Sequence, residues 1–548
     1  MKSESEGNKS GLRASRRMFL RSSVLFGVGA TLVACAPAQP TQKPTKEPEA
    51  TTTPEPQEAG ASTEGGLLRP GGTLRICTNA DAEILDPNFL LSDVELRMCE
   101  MMFNGLVSID ENLNIVPDLA ESWTVSGDAR VYEFKLRRGV KFHHGRELDA
   151  GDVAFTFQRF KESWVGSVVA DLQSVEVVDP LTVRLSFGQP AAHFLGSIAP
   201  RWCAIVPADV VKEVGNDAFK LKPVGTGAYR FVEHVPSQRL VMERFADYFE
   251  TGRPVIERLE WIPIQDDVTR VLQVSAGEID LDLWAPLRSI PDLEAAAGVD
   301  VLGGPTTRYE FAELNNARAP FDNPKVRHAV ALATDRQAIV DFVLAGRGEP
   351  TNGGAIGPKG NPFFNDITVY GAPDIDKAKA LLAEAGLSGG ITVEGVAAGG
   401  SRNSEVLEVL QQQWAAIGVT VNINAIEAGA ARARRNEGDY DLFISGWGTM
   451  IDPNDFIGEQ FLRTGGLNLG KAGDDRLDEL LLAGKREPDM EKRKAIYREA
   501  EEYILNTLHP MVFLFRPYNF AAYREQLKGI RHEAGNTRIS LQTASLEG

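Results

Sequence analysis

A chain of 548 residues that is 43% hydrophobic and 24% charged falls with globular proteins, not with disordered or membrane-embedded ones. The formal net charge of -18 argues against a nucleic-acid partner, which would need a basic face, and otherwise speaks only to solubility. The 7 histidines and 4 cysteines show no HExxH or CxxC spacing, so no metal site and no cofactor is expected.

The first residues read as an address. Ser15-Arg16-Arg17-Met18-Phe19-Leu20-Arg21 has the form of a twin-arginine export signal, followed by an apolar run from Val24 to Ala34. That run, about eleven residues, is too short to cross a hydrocarbon core of roughly 30 Å and reads as the apolar part of a signal peptide. Leu32-Val33-Ala34-Cys35 resembles a bacterial lipobox: residues 1–35 read as a lipoprotein signal segment, cleaved just before Cys35, which becomes the lipidated N-terminus. Two or three acyl chains anchor durably, at about 0.8 kcal/mol per buried methylene. Residues 36–68 are Pro, Thr, Glu, Gln, Gly and Ala with almost nothing apolar, a composition expected to stay a disordered linker. The remainder, about 480 residues, suffices for two or three domains with real cores. Cys77, Cys99 and Cys203 are an odd set, leaving at least one free thiol, and buried small hydrophobes are the expected role.

Along the folded part, Thr73 to Cys77 reads as a short strand after the Gly71-Gly72 turn. The stretch 131–142 alternates, with Tyr132, Phe134 and Leu136 on one face, and 181–187 repeats the pattern. Asn323 and Pro324 open a predicted helix that runs to Gly346. Further helices are predicted over 376–386 and from Ser404 to Gly418, then an alternating strand from Val419 to Ala425 and a short apolar strand at 440–444. Helices and strands alternate in this half, which makes the fold class α/β.

Several blocks then resemble one family. They are Leu119-Ala120-Glu121-Ser122-Trp123, Tyr132 through Gly145, Asp152-Val153, Pro223 to Phe231, Gly277 to Asp280, Phe321-Asp322-Asn323, Val326 to Ala329, Asp335-Arg336, Ala378 to Leu387 and Tyr440 to Trp447. In this order they are similar to the extracellular solute-binding proteins of family 5, the peptide-, dipeptide- and nickel-binding receptors of ABC importers. The resemblance implies a two-lobed clamshell of the type II kind with an extra subdomain. By that analogy lobe I is 69–107, 198–313 and 513–548, the subdomain 108–197, and lobe II 314–512. The chain would cross between lobes near Tyr309–Asn315 and near Phe513–Pro517.

The implied site lies where the strand through Leu442–Ile444 ends. There Ser445, Gly446 and Trp447 offer a flat aromatic face beside glycines that admit close backbone approach. Peptide-binding members carry an aspartate three residues after this tryptophan, where this chain has Met450; Asp452 or Asp455 are candidate replacements, and Asp452 is equally a candidate N-cap for Asn454–Phe461. Asn79 and Asp81 after the first strand, and Tyr309 and Asn315 at the first crossing, complete the expected ligand contacts.

Enzyme readings find little support. Gly465 to Lys471 approaches a phosphate-binding loop, but Ala472 stands where a Ser or Thr would hold magnesium. His143 and His144 would point to opposite faces of a strand. The charges between Glu491 and Glu502 read as the solvated face of a helix whose Ile496, Tyr503 and Ile504 point inward. The expected function is a monomeric, extracytoplasmic, membrane-anchored receptor that passes a small solute to an ABC importer permease. Short peptides lead as the solute, ahead of oligosaccharides, opine-like compounds and metal chelates. A ligand sensor for a membrane receptor, or an exported cofactor enzyme, is the alternative.

Overall fold

The computed structural model describes residues 51–52 and 71–547, apart from 91, 355, 358, 449–450, 534–537 and 540. The expected export signal, Cys35 and Met450 therefore lie outside the described residues. Within the expected linker, Thr51–Thr52 pair antiparallel with Thr124–Val125.

Among the described residues, twelve strands join in one hydrogen-bonded sheet. In chain order they are β1 (Thr73–Thr78), β2 (Tyr229–Val235), β3 (Arg239–Arg244), β4 (Arg258–Pro263), β5 (Leu281–Asp282) and β6 (Val299–Pro305). The remaining six are β7 (Tyr309–Leu314), β8 (Gly348–Pro350), β9 (Ile391–Ala398), β10 (Val419–Ile426), β11 (Leu442–Trp447) and β12 (Met511–Arg524). The path across the sheet is β10-β9-β11-β7-β12-β5-β1-β4-β3-β2, with β6 and β8 also on β12.

One strand decides the architecture. β12 is 14 residues long, and its two halves serve different partners. Its first half pairs with β7, Glu310 facing Phe515 and Glu313 facing Met511. Its second half pairs with β6, from Pro305 opposite Tyr518 to Val299 opposite Arg524, and with β5. The chain crosses a second time between β6 and β7, through Thr306, Thr307 and Arg308. Two lobes thus share one continuous strand and one short link, so a bend at a few backbone positions suffices to move one against the other. The first crossing, expected near Tyr309–Asn315, falls just before Tyr309, because Tyr309–Leu314 is already β7, a central strand with both neighbours in place.

In the second lobe the parallel pairs β9/β10 and β9/β11 alternate with helices, as the periodicity predicts. The helix expected from Pro324 to Gly346 is two helices, Pro324–Leu332 and Arg336–Val343. The break is made by Asp335, whose side chain accepts from Ala338 N at 3.0 Å and so caps the second helix, while Thr334 bonds back to Val330 O at 2.7 Å. The apolar spacing survives the break because Val326, Val330, Ile339, Val340 and Val343 all bury into one core.

A separate sheet holds the alternating segments, with Ala120–Val125, Val131–Leu136, Thr182–Phe187 and Leu172–Asp179 adjacent in that order. Tyr132, Phe134, Val183, Leu185 and Phe187 bury one face against the helix Ala150–Phe160 and Phe194. Each such side chain contributes about 1.5–3 kcal/mol on burial. This sheet is tied to the first lobe by Arg159, whose Nη1 donates to Asp86 at 2.9 Å and to Asn88 at 2.8 Å, all three buried. The Gly225-Thr226-Gly227 block has a steric reason: a Cβ on Gly227 would lie 2.4 Å from the Met101 carbonyl oxygen. Cys77, Cys99 and Cys203 are all free and buried, and burial raises each thiol above its ordinary range.

Candidate functional site between the lobes

Register places the site. β7 runs antiparallel to β11 with Tyr309 opposite Trp447, Glu310 opposite Gly446, Phe311 opposite Ser445 and Leu314 opposite Leu442. Trp447 therefore ends its strand beside the lobe crossing. It is half-buried, with the Arg435 guanidinium 5.7 Å from its ring centroid, and its indole Nε1 is buried without a protein hydrogen-bond partner. Arg435 is held there by Glu313, at 3.1 and 2.6 Å, and the Tyr440 hydroxyl donates to the same carboxylate. A cation beneath one aromatic face stiffens the ring and leaves the rest of it available for contact.

The glycines beside Trp447 answer to protein side chains, not to open space. A Cβ on Gly446 would sit 2.3 Å from Glu310 Oε2, and one on Gly448 would sit 3.2 Å from Arg308 Cβ. The buried Glu310 is bridged by Arg308 Nε at 2.8 Å and by Arg402 Nη2 at 2.9 Å. Arg308 also lies 3.6 Å from Asp93, on the first lobe. Sequence reasoning missed this Arg308–Glu310–Arg402 group, since its members lie up to 94 positions apart and share no local pattern.

The other expected contacts divide. Ser445 is buried in β11. Tyr309 has no solvent exposure; its hydroxyl donates to Gln460 Oε1 at 2.6 Å, and its ring packs on Phe456 and Phe513. Asn315 is not brought to this group: it follows the far end of β7, roughly 20 Å along the strand from Tyr309. Its amide donates to the backbone carbonyls of Gly438 at 3.0 Å and Tyr440 at 3.1 Å. Asn79 is exposed at the end of β1. Asp81 is committed to His234 Nε2 at 2.9 Å and to the Ser237 backbone N–H at 2.6 Å.

Asp452 is not free to hold an amine. Both its oxygens face Arg493, at 2.7 and 2.6 Å, one of them also takes the Asn454 N–H at 2.9 Å, and the residue is 5% exposed. The N-cap-like contact foreseen for it therefore exists alongside a bidentate ion pair. Arg493 and Glu501 belong to the buried stripe of the helix Met490–Tyr503 together with Tyr497 and Ala500, while Ile496 and Tyr503 are only half-buried. A charge-rich helix conceals two buried charges that its periodicity does not announce.

The lobes meet through polar pairs. Ser197 Oγ donates to Asp455 Oδ1 at 2.7 Å, Lys485 Nζ lies 3.0 Å from Asp171, and Arg288 Nη2 donates to Glu405 at 2.9 Å. Burial, reinforced by the charge of neighbouring Asp452, pushes the Asp455 carboxyl up to about 8. Among the described residues no group of three or more His, Cys, Asp or Glu side chains is arranged to hold a metal ion. His143 is spent on Gly225 N and Gly227 O, and His144 on Asp209.

A two-lobed sheet with one shared strand, and a tryptophan ending a central strand at the crossing, is the setting in which the comparisons fall. The model of the bacterial extracellular solute-binding proteins, family 5 (middle), matches residues 114–468. The chain belongs to this family. Among family 5 relatives, the di/tripeptide-binding protein 2 of Pseudomonas aeruginosa is 29% identical over 496 residues, covering 84% of this chain and 92% of that protein. The glutathione-binding protein GsiB of Salmonella paratyphi A is 27% identical, covering 78% of this chain and 86% of its own length. The periplasmic binding protein DppA from Helicobacter pylori, solved in complex with the peptide STSA, superposes with a TM-score of 0.79 at 26% identity, over 88% of this chain and 99% of that one. Among the described residues no helix is long and apolar enough to cross a membrane.

Proposed function

We propose that this family 5 protein captures a short peptide or peptide-like solute between its lobes and hands it to the permease of an ABC importer, as a binding protein and not an enzyme. The observation that carries the reading is the paired crossing, β12 and the link at 306–308, with Trp447 beside it. Such a hinge lets a solute held on one lobe gain contacts from the other. The equilibrium then shifts only by the difference in affinity for the closed form, about 5.5 kcal/mol for a swing from 1:99 to 99:1. The importer reads closure, which makes one docking surface serve every solute the cleft accepts. The names of the relatives, which bind di/tripeptides, glutathione and the peptide STSA, support a peptide-like solute.

In this reading the crossings move the expected bounds: lobe I is 69–107, 198–305 and 518–548, with the subdomain 108–197, and lobe II is 309–517. Trp447 and Asn79 remain proposed ligand contacts. Asp452 is reassigned to structure, since its carboxylate is saturated by Arg493. The chain is exported by its twin-arginine signal and held to a membrane by a lipid on Cys35, with residues 36–68 as the tether, and acts as a monomer. Native mass spectrometry of freshly purified protein tests the function: a co-purified peptide-sized molecule, retained after chelator treatment, is the expected result. A chemically converted product, or a guest lost with the chelated metal, would overturn it.

A further inference from the structure

Asp455, the second candidate for the amine-binding aspartate, is left without a role in the reading above. It lies on the second lobe, yet its Oδ1 is reached by Ser197 Oγ at 2.7 Å from the helix Phe194–Ile198, which follows the five-stranded sheet. Next to it a Cβ on Gly196 would lie 2.9 Å from Asp452 Cβ, so the two surfaces are in van der Waals contact. We propose that closing the lobes takes up one proton on Asp455, so that capture strengthens as the medium turns acidic. The inference rests on the solute-capture reading for its purpose, but not for its test.

The charges around the group leave it little choice. Its own segment supplies Asp452, Asn454 and Glu459, and the helix Met490–Tyr503 supplies Arg493 and Tyr497. The first lobe supplies Ser197 and Cys203, with His193 and Asp171 beyond, and the second-lobe helix Asp475–Arg486 sets Lys485 against Asp171. The cations here are spoken for: Arg493 spans both oxygens of Asp452, and Lys485 faces Asp171. His193 is kept neutral by burial, and burial likewise holds Cys203 and Tyr497 protonated. A carboxylate at 455 would thus be a second buried anion beside Asp452 without a counter-ion of its own. Protonated on Oδ2, the group is neutral and Oδ1 still accepts from Ser197 and from Asn454 Nδ2 at 3.3 Å. The proton comes from water and returns to it when the lobes part and the carboxyl is rehydrated.

The sign follows from the closed-state value being raised to about 8, against roughly 4 for a hydrated carboxylate. The closed form then binds one more proton between those limits. Its advantage is complete below about pH 4 and falls by up to about tenfold per unit as pH rises toward 8.

Hydrogen exchange of the full, solute-free chain, followed by mass spectrometry and corrected for intrinsic rate, reads the contact directly. Peptides covering 194–203 and 452–461 should lose protection by up to about tenfold per unit between pH 5 and 8, while β9 and β10 stay level. Asp455→Asn, which imitates the neutral acid, should flatten that slope; Ser197→Ala should lower protection at every pH and keep the slope. A flat wild-type profile overturns the proposal, as does a slope that Asp455→Asn leaves intact. Failure to find a co-purified solute would sink the capture reading and leave this measurement standing.

Discussion

Replacing Asp452 by asparagine separates the two roles offered for it. The side chains of Arg493 and Asp452 are 3% and 6% exposed, and both carboxylate oxygens are engaged at 2.6–2.7 Å. Neutralising one partner leaves a guanidinium buried without its counter-charge, and an asparagine NH₂ turned toward Arg493 sets donor against donor. Breaking a buried pair in this way costs about 3–5 kcal/mol, far above the 0–1 kcal/mol of an exposed pair. The assay is urea unfolding followed by far-UV circular dichroism at pH 7.5. The exchange Glu491→Gln, on the exposed Lys494–Glu491 pair of the same helix, should leave the curve where it was. Exchanging both partners for apolar residues, Asp452→Leu with Arg493→Met, should recover most of the loss, because no charge is then stranded. If Asp452→Asn changes stability by less than about 0.5 kcal/mol, the ion pair is not what holds this segment. The ammonium-binding role then returns to consideration.

Three further outcomes are expected. Trp447→Ala should weaken binding of the solute identified by mass spectrometry more than tenfold, about 1.4 kcal/mol, with an unchanged melting temperature; unaltered affinity in calorimetry removes Trp447 from the cleft. Gly446→Ala drives a methyl group into the Glu310 carboxylate, 2.3 Å away, and should cost about 1–3 kcal/mol in thermal melts, whereas a tolerated alanine would mean that Glu310 moves freely. His509, stacked on His328 at 3.9 Å and buried, has its imidazole held down to about 3, so its neutral form belongs to the fold. Stability from this group is complete above about pH 6.5 and declines by up to about 1.4 kcal/mol per unit as pH falls toward 3. His509→Asn, which suits the left-handed backbone at φ 46°, should flatten that decline in melts from pH 7 to 4, and a parallel decline would acquit the histidine.

How much was legible depends on distance along the chain. The alternation at 131–136 and 182–187, the helix cap at Asn323 and the strand Val419–Ile426 are local signals, and the elements form where those signals stand. The α/β class and the family follow from them and from the ordered blocks. Polar partnership was not legible. Gly446 looked like room for a ligand and proved to be room for Glu310, and Asp452 looked like a ligand contact and proved to be the counter-ion of Arg493, 41 residues away. Nor did any pattern foretell that Ser197 would meet Asp455 from 258 positions away.

The division has a physical basis. Periodicity, capping and turn chemistry act over a few residues, so the chain alone determined its elements and its class. Which buried charge finds which partner is decided by sheet register and by the docking of one lobe on the other. In a low-dielectric interior those pairings cannot be left unmade, so the tertiary structure alone chose which polar residues to consume and which to leave facing the cleft.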